Sequence, residues 1–112
     1  MPELAIETKT LSDDWLSITV EGEIDLATAD ELSTALERAM SNGNQHVVVD
    51  LNQSPFMDST GLKTLVMAQR RMAEADRELV LAVKGGPISR LIDVSGVESS
   101  IRVVALPEDV LS

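Results

Sequence analysis

The sequence has no cysteine and no tyrosine, and Trp15 and Phe56 are its only aromatic residues. The missing thiols exclude disulfides, thiol catalysis and cysteine-ligated zinc. A chain without cysteine also suits a reducing compartment. With so few rings, the core has to be aliphatic, built from Leu, Val, Ile, Ala and Met. No apolar run approaches the roughly 20 residues that span a bilayer. The opening MPELAIETKT lacks the basic and apolar regions of a signal peptide. A cytoplasmic protein without direct membrane insertion is expected.

Positive charge is scarce as well. Nine Lys and Arg stand against 19 Asp and Glu, for a formal net charge of -10. Such a chain is repelled by phosphate backbones and by anionic lipid, which argues against nucleic acid and membrane surfaces as partners. The imbalance is concentrated at the N-terminal side, where residues up to Glu31 include nine acids and one base, Lys9. That third of the chain suits a basic partner, or simply solubility. With 112 residues there is room for one core, so a single domain over 1–112 is expected.

Apolar patterning then sets out the elements. LAIETKT alternates weakly, as a short edge strand does, and WLSITVEGEI alternates with a period of two. The pair reads as a hairpin around SDD. TADE has the spacing of a capping box, with Thr28 as N-cap and Glu31 reaching back, and Leu32, Leu36, Ala39 and Met40 continue at helical spacing. SNGN ends that helix, with Gly43 suited to a left-handed turn. HVVVDL and ELVLAV are continuous apolar strands of the kind covered on both faces. A second helix is predicted over Ser59 to Glu74, on the rhythm of Leu62, Leu65, Val66, Gln69 and Met72. PISRLIDVS is a third helix, opened by Pro87 and closed by Ser95 and Gly96. SIRVVAL is the last strand, and PEDVLS a final helical turn. The order β β α β α β α β predicts an α/β fold with a mixed, mostly parallel sheet and an initial β-hairpin.

The stretch SPFMDSTGL, between HVVVDL and the second helix, concentrates the polar chemistry. Ser59 is a good N-cap residue, worth roughly 1 kcal/mol in that role. Asp58 supplies a cap on its own, however, so Asp, Ser and Thr together exceed what capping needs. Gly61 in the first turn costs about 1 kcal/mol relative to Ala, which suggests a close approach to the backbone. A hydroxyl at a helix N-terminus is also a favourable place for an added phosphate.

Three segments carry a resemblance: VEGEIDLATADEL, VVVDLNQSPFMDSTGL and LAVKGGPISRLIDVSGVESSIRV. Over about residues 16 to 104 the chain resembles the anti-sigma factor antagonists of the STAS domain family, the regulators of bacterial sporulation and stress responses. The resemblance implies that Ser59, directly after the motif Asp, is phosphorylated by an anti-sigma factor with an ATP-binding serine-kinase fold. It implies that the unphosphorylated chain binds this factor and frees a sigma factor. A phosphatase acting on phospho-Ser59 then restores binding. Thr60 stands where Ser is common and offers a second acceptor. Ile24 replaces a usual Leu, a neutral change. Asp25, in the GEID loop, is expected near the Ser59 corner. The partner-binding set is Asp25, Asp58, Ser59, Thr60, Gly61, Leu62 and Lys63, of which Leu62 also fits the core stripe. Met57 suits either the core or the partner. No cofactor, metal or catalytic residue is implied. The same fold serves other assemblies, such as a stressosome scaffold or the soluble subunit of a lipid or anion transporter.

Enzymatic readings find little support. Asp50 ends an apolar strand, as the nucleophile of phosphoaspartate enzymes does, but Asn52 stands where a second acid is needed. The lone His46 has no Cys or His companion for a metal and is expected at the surface. VKGGPIS lacks the spacing of a nucleotide-phosphate loop. No serine triad can be assembled around one His. Lys63, Arg70, Arg71 and Arg90 are expected to pair with nearby acids, at little gain.

Overall fold

A computed structural model describes residues 3–112. Its elements are β1 (Ala5–Thr10), β2 (Trp15–Glu21), α1 (Ala29–Ser41), β3 (His46–Gln53), α2 (Ser59–Glu74), β4 (Leu79–Ala82), α3 (Gly86–Ser95) and β5 (Val103–Val104). Short 3-10 helices cover Val97–Ser99 and Pro107–Leu111. The sheet runs β1-β2-β3-β4-β5. β1 pairs antiparallel with β2, Ile6 opposite Val20, and every later pairing is parallel. This is the mixed α/β architecture expected, with the hairpin at one edge.

Strictly sequential strand order has a geometric consequence. Each crossover from β2 to β5 steps in the same direction, and right-handed crossovers then deliver every helix to one face. The core reflects this. Leu32 and Leu36 of α1, Leu65 and Met72 of α2, and Ile88 and Ile92 of α3 all pack on Ile18, Val49 and Leu81 in one cluster. Burying each such side chain stabilises the fold by about 1.5–3 kcal/mol. Val48, Val80 and Ala82 point to the opposite face, where Val110 of the terminal 3-10 helix covers them beside Leu11 and Trp15. The continuous apolar strands are thus covered on both sides, but by a single turn of helix on the second.

Three local expectations are corrected. The capping box at α1 does not form. The Thr28 hydroxyl, fully buried, turns away from the helix and donates to the Glu23 carbonyl at 2.8 Å. The Glu31 carboxylate instead accepts the Leu4 amide at 2.8 Å, fastening the entry to β1. Gly43 is not left-handed, because α1 already closes at Asn42, whose amide donates to Arg38 O at 3.1 Å. The last strand shrinks from SIRVVAL to two residues, since only Val103 and Val104 find partners on β4. Gly96 does close α3 in the left-handed conformation, with φ +75° and its amide on Ile92 O.

Candidate functional site

The site is a corner where two loops meet, one after β2 and one after β3. Parallel pairing puts the C-terminal ends of these strands side by side. The loops then continue the pairing by one isolated bridge, Ile24 with Met57. Ile24 N donates to Phe56 O at 3.0 Å, and Asp58 N donates to Ile24 O at 3.0 Å. Ile24 and Met57 are both buried, so apolar burial holds the hydrogen-bonded splice in place. Met57, which the sequence allowed on either side, lies inside.

Each loop is stiffened by an aspartate. Asp25 Oδ1 accepts the amides of Ala27 at 2.9 Å and Thr28 at 3.2 Å. The Asp25 amide donates to Thr28 Oγ1 at 3.0 Å. Asp25 thus orders the turn that leads into α1, and its backbone oxygen accepts the Ala29 amide at 2.8 Å, while among the described residues no side chain caps the helix itself. Asp58 is the N-cap of α2, its Oδ1 accepting the amides of Thr60 at 2.9 Å and Gly61 at 3.1 Å. Helix-terminal amides that lack an intrahelical partner are thereby satisfied.

With the cap supplied by Asp58, Ser59 is the first residue of the helix rather than its cap. It is exposed, and among the described residues its hydroxyl makes no hydrogen bond. Thr60 is half-buried and lines a different surface, between α1 and α2, with Ser33, Leu36 and Thr64. The two residues line adjoining grooves that share Lys63 and Met67, and Ser59 is the more open of the pair.

Gly61 is buried, and the close approach that its lack of a side chain suggested comes from the chain itself. A Cβ there meets Ile24 Cγ2 at 2.5 Å and Met57 Cγ at 2.8 Å. Leu62 is 4% exposed and belongs to the core. Of the seven residues expected at a docking surface, Gly61 and Leu62 can thus act only by shaping it. Lys63 is exposed, and Asp25 and Asp58 are half-buried.

The structure adds residues that sequence reasoning missed. Leu26, 78% exposed, follows Asp25, and Phe56, 43% exposed, precedes Met57. Both sit on the spliced loops beside the two aspartates. The available signal was an apolar residue inside each otherwise polar loop, in DLA and in SPF.

From Ser59 a shallow groove of about 340 Å³ runs along α2, lined by Lys63, Val66, Met67, Arg70 and Val97. It has two cations and no acid in its lining, on a chain of net charge -10. Of the four bases expected to pair, Arg71 reaches Glu37 at 3.6 Å. Lys63, Arg70 and Arg90 form no ion pair among the described residues.

The alternative centres are occupied by structural bonds. Asp50 Oδ1 accepts both the amide and the side chain of Asn52, whose Oδ1 takes the Lys84 amide at 2.8 Å and whose Nδ2 reaches Ala105 O. The pair braces the ends of β3, β4 and β5. His46, expected at the surface, is half-buried. Its Nδ1 accepts the Glu78 amide at 2.9 Å, and its ring centroid lies 5.0 Å from that of Trp15. Among the described residues no helix is long and apolar enough to cross a membrane.

The family model for the STAS domain matches residues 5–109. The anti-sigma-B factor antagonist of Staphylococcus aureus is 32% identical over 100 residues, covering 89% of this chain and 92% of that one. The fold is similar to the crystal structure of an anti-sigma factor antagonist from Mycobacterium paratuberculosis, with a TM-score of 0.86 at 23% identity over 96% of this chain and 91% of that one. It is also similar to the structure of the Bacillus cell fate determinant SpoIIAA in the phosphorylated form, with a TM-score of 0.70 at 17% identity over 96% of each chain. The sequential sheet, the spliced corner around FMDSTGL and a match across nearly the whole chain lead to one conclusion: this protein belongs to the STAS domain family.

Proposed function

We propose that this chain is an anti-sigma factor antagonist switched by phosphorylation of Ser59. In its unmodified form it binds an anti-sigma factor with a serine-kinase fold and so releases a sigma factor. The kinase partner transfers a phosphoryl group to the Ser59 hydroxyl, binding ends, and a phosphatase reverses the modification. The chain acts by binding and not by catalysis, in line with relatives that are regulators rather than enzymes.

One observation carries the reading. The Ser59 hydroxyl is exposed and unbonded in a position whose structural task, capping α2, Asp58 already performs. A hydroxyl with no structural duty can be modified without cost to the fold. The neighbouring loops are joined by the Ile24–Met57 bridge, which does not involve Ser59, so the shape of the corner does not depend on the hydroxyl that is modified. The exposed Leu26 and Phe56 give that surface apolar anchors.

The consequence of modification is electrostatic. A phosphoryl group adds about -1.5 to -2 charges at neutral pH. It arrives beside the Asp58 carboxylate, on a chain that already carries -10. A partner surface packed against the corner is blocked sterically and repelled if acidic. No refolding is needed. A protein of similar fold has been solved in a phosphorylated form, so this fold accommodates a phosphoryl group.

The test is incubation of the full-length chain with the candidate anti-sigma kinase and ATP, read by intact mass. A gain of one phosphate that Ser59→Ala abolishes is the expected result. Phosphate persisting on the Ala variant reassigns the acceptor to Thr60 or elsewhere. Co-purification with a membrane permease in place of any kinase overturns the reading.

A further inference from the structure

We infer that Lys63 is the intramolecular counter-ion of phosphorylated Ser59. The ligand is a phosphomonoester dianion carried by this chain itself, so the inference rests on the proposed modification of Ser59.

Ser59 and Lys63 are four residues apart in α2 and line the same groove. On a helix that spacing brings the Cβ atoms to about 5–6 Å, and an acidic group placed N-terminal to the lysine is the favourable orientation. Lys63 is exposed and has no carboxylate partner among the described residues, so no existing pair has to break.

The other holder of a phosphate at this corner, the helix N-terminus, is partly engaged, and of its first-turn amides only that of Ser59 itself has no partner among the described residues. Asp58 Oδ1 takes the amides of Thr60 and Gly61, the donors that an incoming phosphate otherwise uses. A second anion cannot share them without displacing the carboxylate. The groove's remaining cation, Arg70, lies seven residues further along α2, about 10 Å beyond Lys63 at 1.5 Å per residue. Asp58 on one side repels the phosphate and Lys63 on the other attracts it, so the group turns into the groove. Phosphorylation then does two things at once. It adds negative charge at the head of the groove, and it withdraws the nearest free cation from any docking partner.

The experiment uses the full-length chain with phosphoserine installed at position 59 during translation, so that no kinase is needed. The second ionisation of the phosphate is followed by ³¹P NMR titration at low salt. Lys63→Met is expected to raise the titration midpoint by about 0.3 pH unit relative to the phosphorylated parent, while Lys63→Arg leaves it in place. The difference shrinks in high salt, as screening requires. Equal midpoints for the parent and Lys63→Met, with both chains folded by circular dichroism, overturn the inference. So does an unchanged difference in 1 M salt. Because the phosphoserine is installed during translation, a kinase that never modifies Ser59 defeats the proposed function without touching this result. A Ser59 that the kinase modifies, with equal midpoints for the parent and Lys63→Met, defeats only the role of Lys63.

Discussion

Ile24 and Gly61 meet so closely that residue 61 has no room for a side chain: a Cβ there falls 2.5 Å from Ile24 Cγ2. The contact joins the loop after β2 to the first turn of α2 and fixes where Ser59 stands. Gly61→Ala gains about 1 kcal/mol of helix propensity but forces a methyl against a buried branched side chain and the Ile24 carbonyl. Overpacking of this kind costs about 1–3 kcal/mol. A net destabilisation of about 1 kcal/mol is expected in urea denaturation, with the unfolding slope unchanged. A stabilised Ala variant contradicts the contact.

Asp58 and Ser59 should separate cleanly in stability. Asp58→Ala removes the cap of α2 and is expected to cost about 1 kcal/mol, with Asp58→Asn much milder. Ser59→Ala removes a hydroxyl that bonds to nothing and should fall within about 0.5 kcal/mol of the parent. Thermal melts of the three variants measure this. A Ser59→Ala loss as large as that of Asp58→Ala makes Ser59 a structural cap.

Thr28 and Glu31 offer a third comparison. Thr28→Val keeps the shape but leaves the Glu23 carbonyl without its donor and the Asp25 amide without its acceptor. The expected cost is about 1–3 kcal/mol, together with faster amide exchange in residues 23–28. Glu31→Gln alters only an exposed bond to the Leu4 amide and should change stability by less than about 0.5 kcal/mol. A capping box predicts comparable losses for both.

These variants also show where sequence reasoning reached and where it stopped. The bounds of α2 were legible because Leu62, Leu65 and Met72 recur on one face and DST precedes them. The hairpin, the mostly parallel pairing and the Gly96 C-cap followed from alternation, apolar strands and a glycine placed after a helix. Thr28 misled because its spacing to Glu31 matches a local motif, whereas its hydroxyl serves a carbonyl upstream and Glu31 serves β1. Gly61 was noticed as unusual, but the residue that requires it, Ile24, lies far away in sequence and arrives only through the pairing of β2 with β3. His46 looked like a surface residue because nothing local announces a bond to the Glu78 amide across strands. Elements and their broad pairing were readable from periodicity, and the particular side-chain contacts that the sheet brings together were not.

The central claim is that phosphate on Ser59 ends binding to an anti-sigma factor. Its most direct test is the affinity of the purified partner for the unmodified chain and for the chain carrying phosphoserine at 59, measured side by side by calorimetry. Like charges set against a docked surface cost several kcal/mol, so the account predicts binding weakened by about a hundredfold or more, with Ser59→Ala binding as the unmodified chain does. Equal affinity for the modified and unmodified chains contradicts it.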